Sequence, residues 1–211
     1  MQGTMTANGD FVNDMNSLDD DAAVLRVVGG ETDVFSVLLS RHKDRILRIV
    51  KKHVPPNDVD DVSQDVFVRA YQSLGGYRKK GRFRAWLNRI AVRSCYDYLR
   101  RKYRSRELPM SCLSEGHQTW LEQVTANQSV AAFDASSRRN EARDILAWAL
   151  DRISPEDRMV LELTYLEGYT AREAADLLGW STANVKVRSH RSKKKLKRLL
   201  EKLMDAGKEI Q

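Results

Sequence analysis

The spacing of helix caps between residues 168 and 199 constrains the fold more than any other feature of this sequence. Gly168 is suited to end a helix in the left-handed conformation. Thr170 and Glu173 form a T-x-x-E capping box, which predicts that a short helix over 171–178 begins there. One helix therefore follows directly on another in this part of the chain.

A glycine and a second cap follow the short helix. Gly179 can supply a tight turn and Ser181 can cap a longer helix, so the pattern predicts a helix-turn-helix. The buried stripe of the longer helix is expected to contain Val185, Ser189, Ser192, Leu196 and Leu199. Its outward face carries cationic and amide side chains, which can contact base edges and phosphates in the major groove of DNA. The residues expected to bind duplex DNA are Ser181, Thr182, Asn184, Lys186, Arg188, His190 and Arg191.

The charge of the chain favours an anionic partner, either nucleic acid or a membrane surface. Lys and Arg number 36 against 29 Asp and Glu, which gives a net charge of +7. Since many soluble proteins are mildly basic, the concentration of cations in 78–106 and 186–202 is the stronger indicator. A solvated basic helix face is the alternative interpretation. No apolar run approaches the ~18 residues of a membrane span, and no signal-peptide pattern is present, so a cytoplasmic protein is expected.

The sequence contains no pattern typical of a catalytic or metal site. Four scattered histidines have no metal-ligand spacing, and two cysteines make neither a disulfide framework nor a four-ligand set. These residues are His42, His53, His117, His190, Cys95 and Cys112. We therefore expect no enzyme, no catalytic residue, no metal and no cofactor. A redox role for the two cysteines stays open.

The first half of the chain is also helical in its periodicity. A helix is expected from about residue 20 to 53, where "VPPN" ends it because proline cannot continue a helix. Asn57 is then expected to cap a helix over roughly 58–74. The core stripe of that helix is expected to be Val59, Val62, Val66, Ala70 and Leu74. Its opposite face carries Asp61, Gln64, Asp65, Val68 and Gln72, with Arg69 beside them.

A cationic loop, "GGYRKKG" at 75–81, separates this helix from a third one over about 82–103. One stripe of the third helix is apolar and can face a core: Phe83, Leu87, Ile90, Ala91 and Leu99. A second stripe alternates guanidinium groups with aromatic rings: Arg82, Trp86, Arg89, Arg93, Tyr96 and Arg100. The third helix is therefore expected to have one buried face and one cationic face.

Two helical blocks are predicted, because residues 104–138 have little periodicity apart from a possible short helix near 118–124. Helix resumes near Ser137, and after Ile153 a further helix begins with Ser154 as cap and Pro155 at its first position. No strand-like alternation of useful length is present. The sequence thus predicts an all-α protein of two small helical domains joined by a flexible linker. The expected segments are a flexible acidic N-terminus (1–19), a first domain (20–104), a linker (105–137), a second domain (138–204) and a tail (205–211).

Two long segments resemble the extracytoplasmic-function sigma factors of bacterial RNA polymerase, in the sigma-70 superfamily. "DVDDVSQDVFVRAYQSLGGYRKKGRFRAWLNRIAVRSCYDYLRRKYR" (58–104) resembles regions 2.2 to 2.4 of that family. "LDRISPEDRMVLELTYLEGYTAREAADLLGWSTANVKVRSHRSKKKL" (150–196) resembles region 4. The order and spacing of the segments also fit, so that the resemblance covers most of 20–200.

The resemblance implies a factor that directs core RNA polymerase to promoters in a stress or envelope response. It implies that region 2.2 docks on the clamp helices of the largest polymerase subunit through Asp61, Gln64, Asp65 and Arg69. A solvated helix face is the alternative for these four side chains. The expected partners are core RNA polymerase, through its clamp helices and flap, promoter DNA and an anti-sigma factor. Region 4 is implied to bind the minus-35 element through the helix-turn-helix residues named above.

The resemblance also implies that the loop and the third helix open the minus-10 element, with a base extruded into a pocket made by loop 75–83. Unpaired bases stack on aromatic or guanidinium planes, and their backbone requires cations. The implied contacts are Tyr77, Arg78, Lys79, Lys80, Arg82, Trp86, Arg89 and Arg93. Within this group Tyr77 is the favoured base contact, and Trp86 is either a contact or a core residue. Phe83 is expected in the core.

Several positions depart from the family pattern. The basic "RKKG" replaces an acidic stretch of the loop, and Arg93 stands where a small or amide residue is common. Val187 and Ser189 stand where Ser and an apolar residue are usual. These differences leave the promoter sequence open.

Two alternative functions also remain: a helix-turn-helix regulator that acts without core polymerase, and a structural RNA- or ribosome-binding protein that uses the basic stretch 78–106.

Overall fold

The computed structural model describes residues 18–78, 81–106 and 135–208. These ranges contain eight α-helices and no strand, which confirms the predicted all-α class. The helices are α1 Asp20–Val28, α2 Phe35–His53, α3 Val59–Ser73, α4 Phe83–Arg106, α5 Ala135–Leu150, α6 Pro155–Leu161, α7 Ala171–Leu178 and α8 Thr182–Lys208. The chain divides into two compact units between Tyr98 and Leu99.

The helix predicted from about 20 to 53 is two helices, and the single-helix prediction is wrong. Gly29 follows α1, Gly30 adopts a φ of +109°, and a 3-10 turn at Thr32–Val34 leads into α2. Apolar periodicity could not reveal the break, because residues on both sides of it are buried in the same core. The two adjacent glycines were the available signal, since glycine adopts positive φ without a steric penalty.

The predicted cap of α3 is also corrected. Asn57 lies inside a 3-10 turn over Pro56–Asp58, and the N-cap residue is Asp58, whose side chain makes no capping hydrogen bond. Its Oδ2 instead accepts a hydrogen bond from the Tyr98 hydroxyl of α4 at 2.5 Å. The carboxylate therefore joins two helices rather than closing the end of one.

The core of the first unit lies between α1, α2, α3 and α4. All five predicted core residues of α3 are buried, and so is Phe83 at the start of α4, with 2% of its surface exposed. Leu38, Ile46 and Val50 of α2 pack into the same cluster. Burial of each such side chain is worth about 1.5–3 kcal/mol, which makes this apolar cluster the main source of stability in the unit.

His42 of α2 is buried next to this cluster. Its ring centroid lies 5.4 Å from that of Phe83, and its Nε2 lies 3.0 Å from Oδ2 of Asp20. Arg41 donates to the other oxygen of Asp20 at 2.7 Å. The acidic start of α1 is thus tied to α2.

The second unit is built from α6, α7 and α8, with α5 beside them. Ser154 caps α6 by accepting from the Asp157 N–H at 3.3 Å, and Pro155 occupies the first turn, as predicted. A π-helical turn at Glu162–Leu166 extends α6, and Gly168 follows with a φ of +75°. Met159, Val160 and Leu163 are among its fully buried side chains.

Several sequence predictions fall on residues outside the described ranges. They are the acidic N-terminus before residue 18, the loop lysines Lys79 and Lys80, the helix near 118–124, and Cys112 and His117 within the expected linker. Among the helices of the described ranges, none is long and apolar enough to cross a membrane.

Candidate functional site

The predicted helix-turn-helix is formed by α7 and α8, with the caps in the predicted places. Oγ1 of Thr170 accepts from the Glu173 N–H at 3.3 Å, and Oε2 of Glu173 accepts from the Thr170 N–H at 2.9 Å. A second bond from the Thr170 hydroxyl to Glu173 helps to lower the pKa of that carboxyl. Gly179 ends α7 with a φ of +75°. Oγ of Ser181 then accepts from the Asn184 N–H at 3.2 Å, at the start of α8.

The candidate DNA-contact residues lie along the first part of α8. Ser181, Asn184, Lys186, His190 and Arg191 are exposed, and Thr182 is half-buried. Val185 and Ser192 of the predicted inner stripe are buried, and Leu196 and Leu199 pack partly buried against an apolar cluster. The exposed set spans about 15 Å of helix, a length that fits a major groove.

Arg188 differs from the other candidate contacts, because its guanidinium is held by the protein itself. Its Nη1 donates to Oδ1 of Asp157 at 3.0 Å, and its guanidinium carbon lies 5.8 Å from the ring centroid of Trp180. About a third of the Arg188 side chain, 35%, is exposed. Trp180 directly precedes the cap of α8, and sequence reasoning did not select it.

The carboxylate of Asp157, in the first turn of α6, accepts hydrogen bonds from several side chains of α8. Besides Arg188, its carboxylate accepts from the Ser192 hydroxyl at 2.8 Å and from Lys195 Nζ at 3.2 Å. Burial by itself would raise the pKa of Asp157, but the hydrogen bonds from Ser192, Lys195 and Ser154 outweigh it and lower the pKa below the ordinary value. In the sequence Asp157 is indistinguishable from an acidic residue that complements a helix N-terminus, so its role was missed.

In the first unit, Tyr77 of the loop is engaged in a network with α1 and α4. Its hydroxyl donates to Oδ1 of Asp21 at 2.9 Å and accepts from the Arg82 N–H at 3.1 Å. Burial, and next the hydrogen bond to Asp21, raises the pKa of Tyr77. The Gly81 N–H also donates to Asp21, through Oδ2. Asp21, in the first turn of α1, therefore binds the loop at two points, Tyr77 and Gly81, a role that the acidic composition of this region did not reveal.

An aromatic cluster lies at the start of α4. The ring of Tyr77 is 5.7 Å from that of Phe83 and 5.4 Å from that of Trp86, between centroids. Phe83 is a core residue, as expected, whereas Trp86 is half-buried. Arg82 and Arg93 are exposed, and Arg89 is half-buried. The exposed Arg78 also bends back to donate to the Gly75 carbonyl at 2.7 Å.

The polar face of α3 carries the four residues matched to the docking motif. Asp61 and Gln64 are exposed, and Asp65 and Arg69 are each about one-third exposed, at 34% and 33%. Arg69 Nη1 donates to Oδ2 of Asp97 in α4 at 2.5 Å, and Arg69 Nε lies 3.0 Å from Oδ2 of Asp65. The hydrogen bond to Asp97 is the main cause that raises the pKa of Arg69. Asp97 was not found by sequence reasoning.

The second unit also has an apolar groove of about 220 Å³. Its walls come from α5, α6, the π-helical turn and α8, and they are formed by Leu146, Leu150, Leu161, Tyr165, Leu166, Lys193 and Leu196. Tyr165 and Leu166 are more than half exposed, which is unusual for large apolar side chains. Nζ of Lys193 lies 5.2 Å from the ring centroid of Tyr165.

In the residues described, no group of His, Cys, Asp and Glu could hold a metal ion.

Comparison with known protein families gives two matches, one in each half of the chain. The model of Sigma-70 region 2 matches residues 38–105, and the model of Sigma-70, region 4, matches residues 143–196. The ECF RNA polymerase sigma-E factor of Escherichia coli (strain K12) is 28% identical over 176 residues, which cover 83% of this chain and 91% of that protein. The sigma-E factor of Haemophilus influenzae is 28% identical over 197 residues, with 89% and 98% covered.

Two solved structures are also similar to this chain. CnrH, in complex with the cytosolic domain of CnrY, is 27% identical with a TM-score of 0.48, and the match covers 85% of this chain and 95% of that one. A chain of the RsbN-BldN complex is 21% identical with a TM-score of 0.34, covering 83% and 98%.

Proposed function

The chain belongs to the extracytoplasmic-function sigma factors of the sigma-70 family, and we propose that it directs bacterial core RNA polymerase to specific promoters and initiates transcription there. The observation that carries this proposal is the presence, in one chain, of a capped helix-turn-helix and a separate unit with a cationic and aromatic face. Two DNA-binding surfaces of different chemistry suit the recognition of two promoter elements by one factor.

The minus-35 element is assigned to the start of α8. Exposed amide, hydroxyl and cationic groups at Asn184, Lys186 and Arg191 have the chemistry of base-edge and phosphate contacts. Ser181, Thr182 and His190 complete this surface. Arg188 also belongs to this surface, but Asp157 already binds its guanidinium. DNA phosphates would therefore compete with Asp157 for Arg188.

The minus-10 element is assigned to the loop and to α4. A base leaving the duplex loses stacking worth a few kcal/mol, which an aromatic surface with nearby cations can offset. Trp86, flanked by Arg82, Arg89 and Arg93, has this composition, and Arg78, Lys79 and Lys80 add charge along the loop. Tyr77 contributes through its ring, because its hydroxyl is already engaged with Asp21 and Arg82.

Core polymerase is the proposed protein partner of both units. In the first unit, Asp61, Gln64 and Asp65 form the docking face for the clamp helices, with Arg69 beside them. In the second unit, the exposed apolar groove around Tyr165 and Leu166 suits an apolar segment of the flap. We assign the polymerisation chemistry to that enzyme and not to this chain. We place the activity of this chain in the bacterial cytoplasm. Control by an anti-sigma factor, in a stress or envelope response, is part of the same proposal.

Run-off transcription tests the function directly. The purified chain is added to the core polymerase of its own organism on a pool of randomised promoters, and the transcripts are sequenced. We expect new transcripts with defined start sites only when the chain is present, and their templates would identify both promoter elements. Specific binding to duplex DNA without new transcripts, and without co-elution with core polymerase, would favour the regulator that acts alone. Binding to structured RNA with no duplex sequence preference would favour the RNA-binding alternative.

A further inference from the structure

Three consecutive carboxylates begin α1, and the first two hold that helix in place. Asp19 is its N-cap and accepts from the Ala22 N–H at 2.7 Å. Asp20 binds Arg41 and His42 of α2. Buried side chains of α1 also belong to the core of the first unit: Ala23, Val24 and Val27. The start of α1 is therefore a firm support, because a cap, two contacts with α2 and an apolar face all hold it.

The third carboxylate, Asp21, binds the loop before α4 instead. Its two oxygens accept from different groups: Oδ1 from the Tyr77 hydroxyl at 2.9 Å, and Oδ2 from the Gly81 N–H. Tyr77 precedes the three loop cations at 78–80, and Gly81 follows them. One half-buried side chain of α1 thus binds the loop on either side of its cationic stretch.

Gly81 adopts positive φ in open surroundings. Its φ is +72°, and no atom of the described residues lies within 4 Å of the position that a Cβ would occupy. Glycine reaches this conformation and several others without a steric penalty, and that freedom is lost when the loop becomes ordered. A hydrogen bond from its N–H to a firmly held helix therefore reduces the number of conformations that the loop adopts before DNA binds.

Asp21 also helps to fix the ring of Tyr77. The Tyr77 hydroxyl is held between the carboxylate and the Arg82 N–H, and the ring lies 5.4 Å from that of Trp86, between centroids. Aromatic rings with cations beside them are the surface on which an unpaired base stacks. Because the ring is already in place, less conformational entropy is lost when a base binds.

We propose that Asp21 is a positioning residue for the capture of the unpaired minus-10 strand: by binding Tyr77 and Gly81, it orders the loop before the DNA arrives. The inference rests on the proposed function and adds to it a residue of α1, which lies outside the residues 38–105 that match the region 2 model. Asp21 acts through the loop and not by contact with DNA, since a carboxylate repels phosphates.

Asp21→Asn separates this role from an effect of charge, because the two predict opposite signs. An amide can accept from only one of the two donors through its single oxygen, so D21N should bind the unpaired strand about fivefold more weakly. Removal of a negative charge beside a cationic loop would by itself strengthen binding to DNA. Asp19→Asn is the matched control: it removes the same charge from an exposed position two residues away, and asparagine caps a helix as well as aspartate does. D19N should bind the strand at least as tightly as the wild type.

The measurement is the Kd of holoenzyme, assembled from the full-length chain and core polymerase, for each labelled single strand of the minus-10 element that run-off transcription identifies. The Kd of each variant for core polymerase is measured beside it, at a temperature well below the lowest Tm of the set. We expect D21N to lose affinity for the strand that the wild type prefers and to keep its affinity for core polymerase, whose proposed docking face lies on α3.

Three results would overturn the inference alone: strand binding by D21N as tight as that of the wild type or tighter, an equal loss in D19N, or parallel losses of strand and polymerase affinity in D21N, which would mark a general structural role. If the wild type produced no transcripts with defined start sites and did not bind core polymerase, the proposed function would fail and the inference with it.

Discussion

At the scale of single residues, Asp157 of α6 binds three side chains of α8, the helix that carries the candidate DNA contacts. Its side chain is 12% exposed and accepts from Arg188, Ser192 and Lys195, which are all on α8. A buried carboxylate is costly unless donors compensate it, and here the compensating donors belong to the helix that it positions. Contact between α6 and α8 is therefore specific and not merely apolar.

Asp157→Asn should lower the free energy of unfolding of the second unit by about 2 kcal/mol, because an amide cannot accept from all three donors and leaves cations without a counter-charge. Chemical denaturation followed by circular dichroism measures the difference. Asp144→Asn, which changes an exposed carboxylate of α5, is the matched control and should change stability by less than about 0.5 kcal/mol. Equal effects of the two substitutions would contradict the role assigned to Asp157.

The stabilisation by Asp157 should also depend on pH in a defined direction. Its pKa in the folded chain lies below the ordinary value of 3.8, so the unfolded chain takes up the proton first as the pH falls. The stabilisation is therefore complete above about pH 5 and is lost as the pH falls through 3.8 and then through the folded pKa. Denaturation at several pH values should show the stability gap between wild type and D157N closing below pH 3.8, and a gap independent of pH would be inconsistent with this account.

At the scale of secondary-structure elements, the capping box decides where α7 begins and hence how α8 is presented. Thr170→Ala should cost about 1 kcal/mol of stability, since the Glu173 N–H loses its acceptor. Thr170→Ser keeps the hydroxyl and should recover most of that loss. Thermal unfolding of the two variants compares them directly, and a serine variant as unstable as the alanine variant would show that the methyl group matters more than the cap.

The loop before α4 is a second element whose geometry depends on one side chain. Tyr77→Phe keeps the ring against Trp86 but removes the hydroxyl that links Asp21 to the Arg82 N–H, two hydrogen bonds of about 1 kcal/mol each. We expect weaker opening of the minus-10 element, seen as reduced permanganate reactivity of unpaired thymines, with duplex binding at minus-35 unchanged. Tyr71→Phe, on the exposed face of α3, is the control. Normal opening of the minus-10 element by Y77F would show that opening requires the ring of Tyr77 but not its hydroxyl.

At the scale of the whole molecule, the proposed function requires two DNA-binding units to act through one chain. The affinity gained from joining them depends on the effective concentration that the linker provides. Doubling the expected linker, 105–137, with Gly and Ser should lower the affinity of the holoenzyme for a two-element promoter by about threefold, since each doubling of a loop costs ~0.6 kcal/mol. Binding to a minus-35 element alone should not change. A loss far above threefold would mean that the linker itself contacts polymerase or DNA.

Local features of the fold could be predicted from the sequence because their physics is local. The caps at Ser154, Thr170 and Ser181 and the turn at Gly179 each involve groups within four residues of one another, so the residue types alone identify them. The core stripe of α3 followed in the same way from helical spacing. The two errors have different causes. The break in the helix over 20–53 had a local signal, the glycine pair 29–30, which apolar periodicity does not register. The N-cap of α3 is Asp58 and not Asn57, and the carboxylate of Asp58 binds Tyr98 of α4.

The sequence by itself determined most of the helices and caps, the helix-turn-helix and the cationic stretches, because these depend on spacings of three or four residues. Only the tertiary structure decided which charged groups are available to a partner. Arg188 is held by Asp157 across 31 residues, Arg69 by Asp97 across 28, and Gly81 by Asp21 across 60. Such pairs form only where packed helices bring distant carboxylates and donors within about 3 Å, and no local spacing encodes that distance.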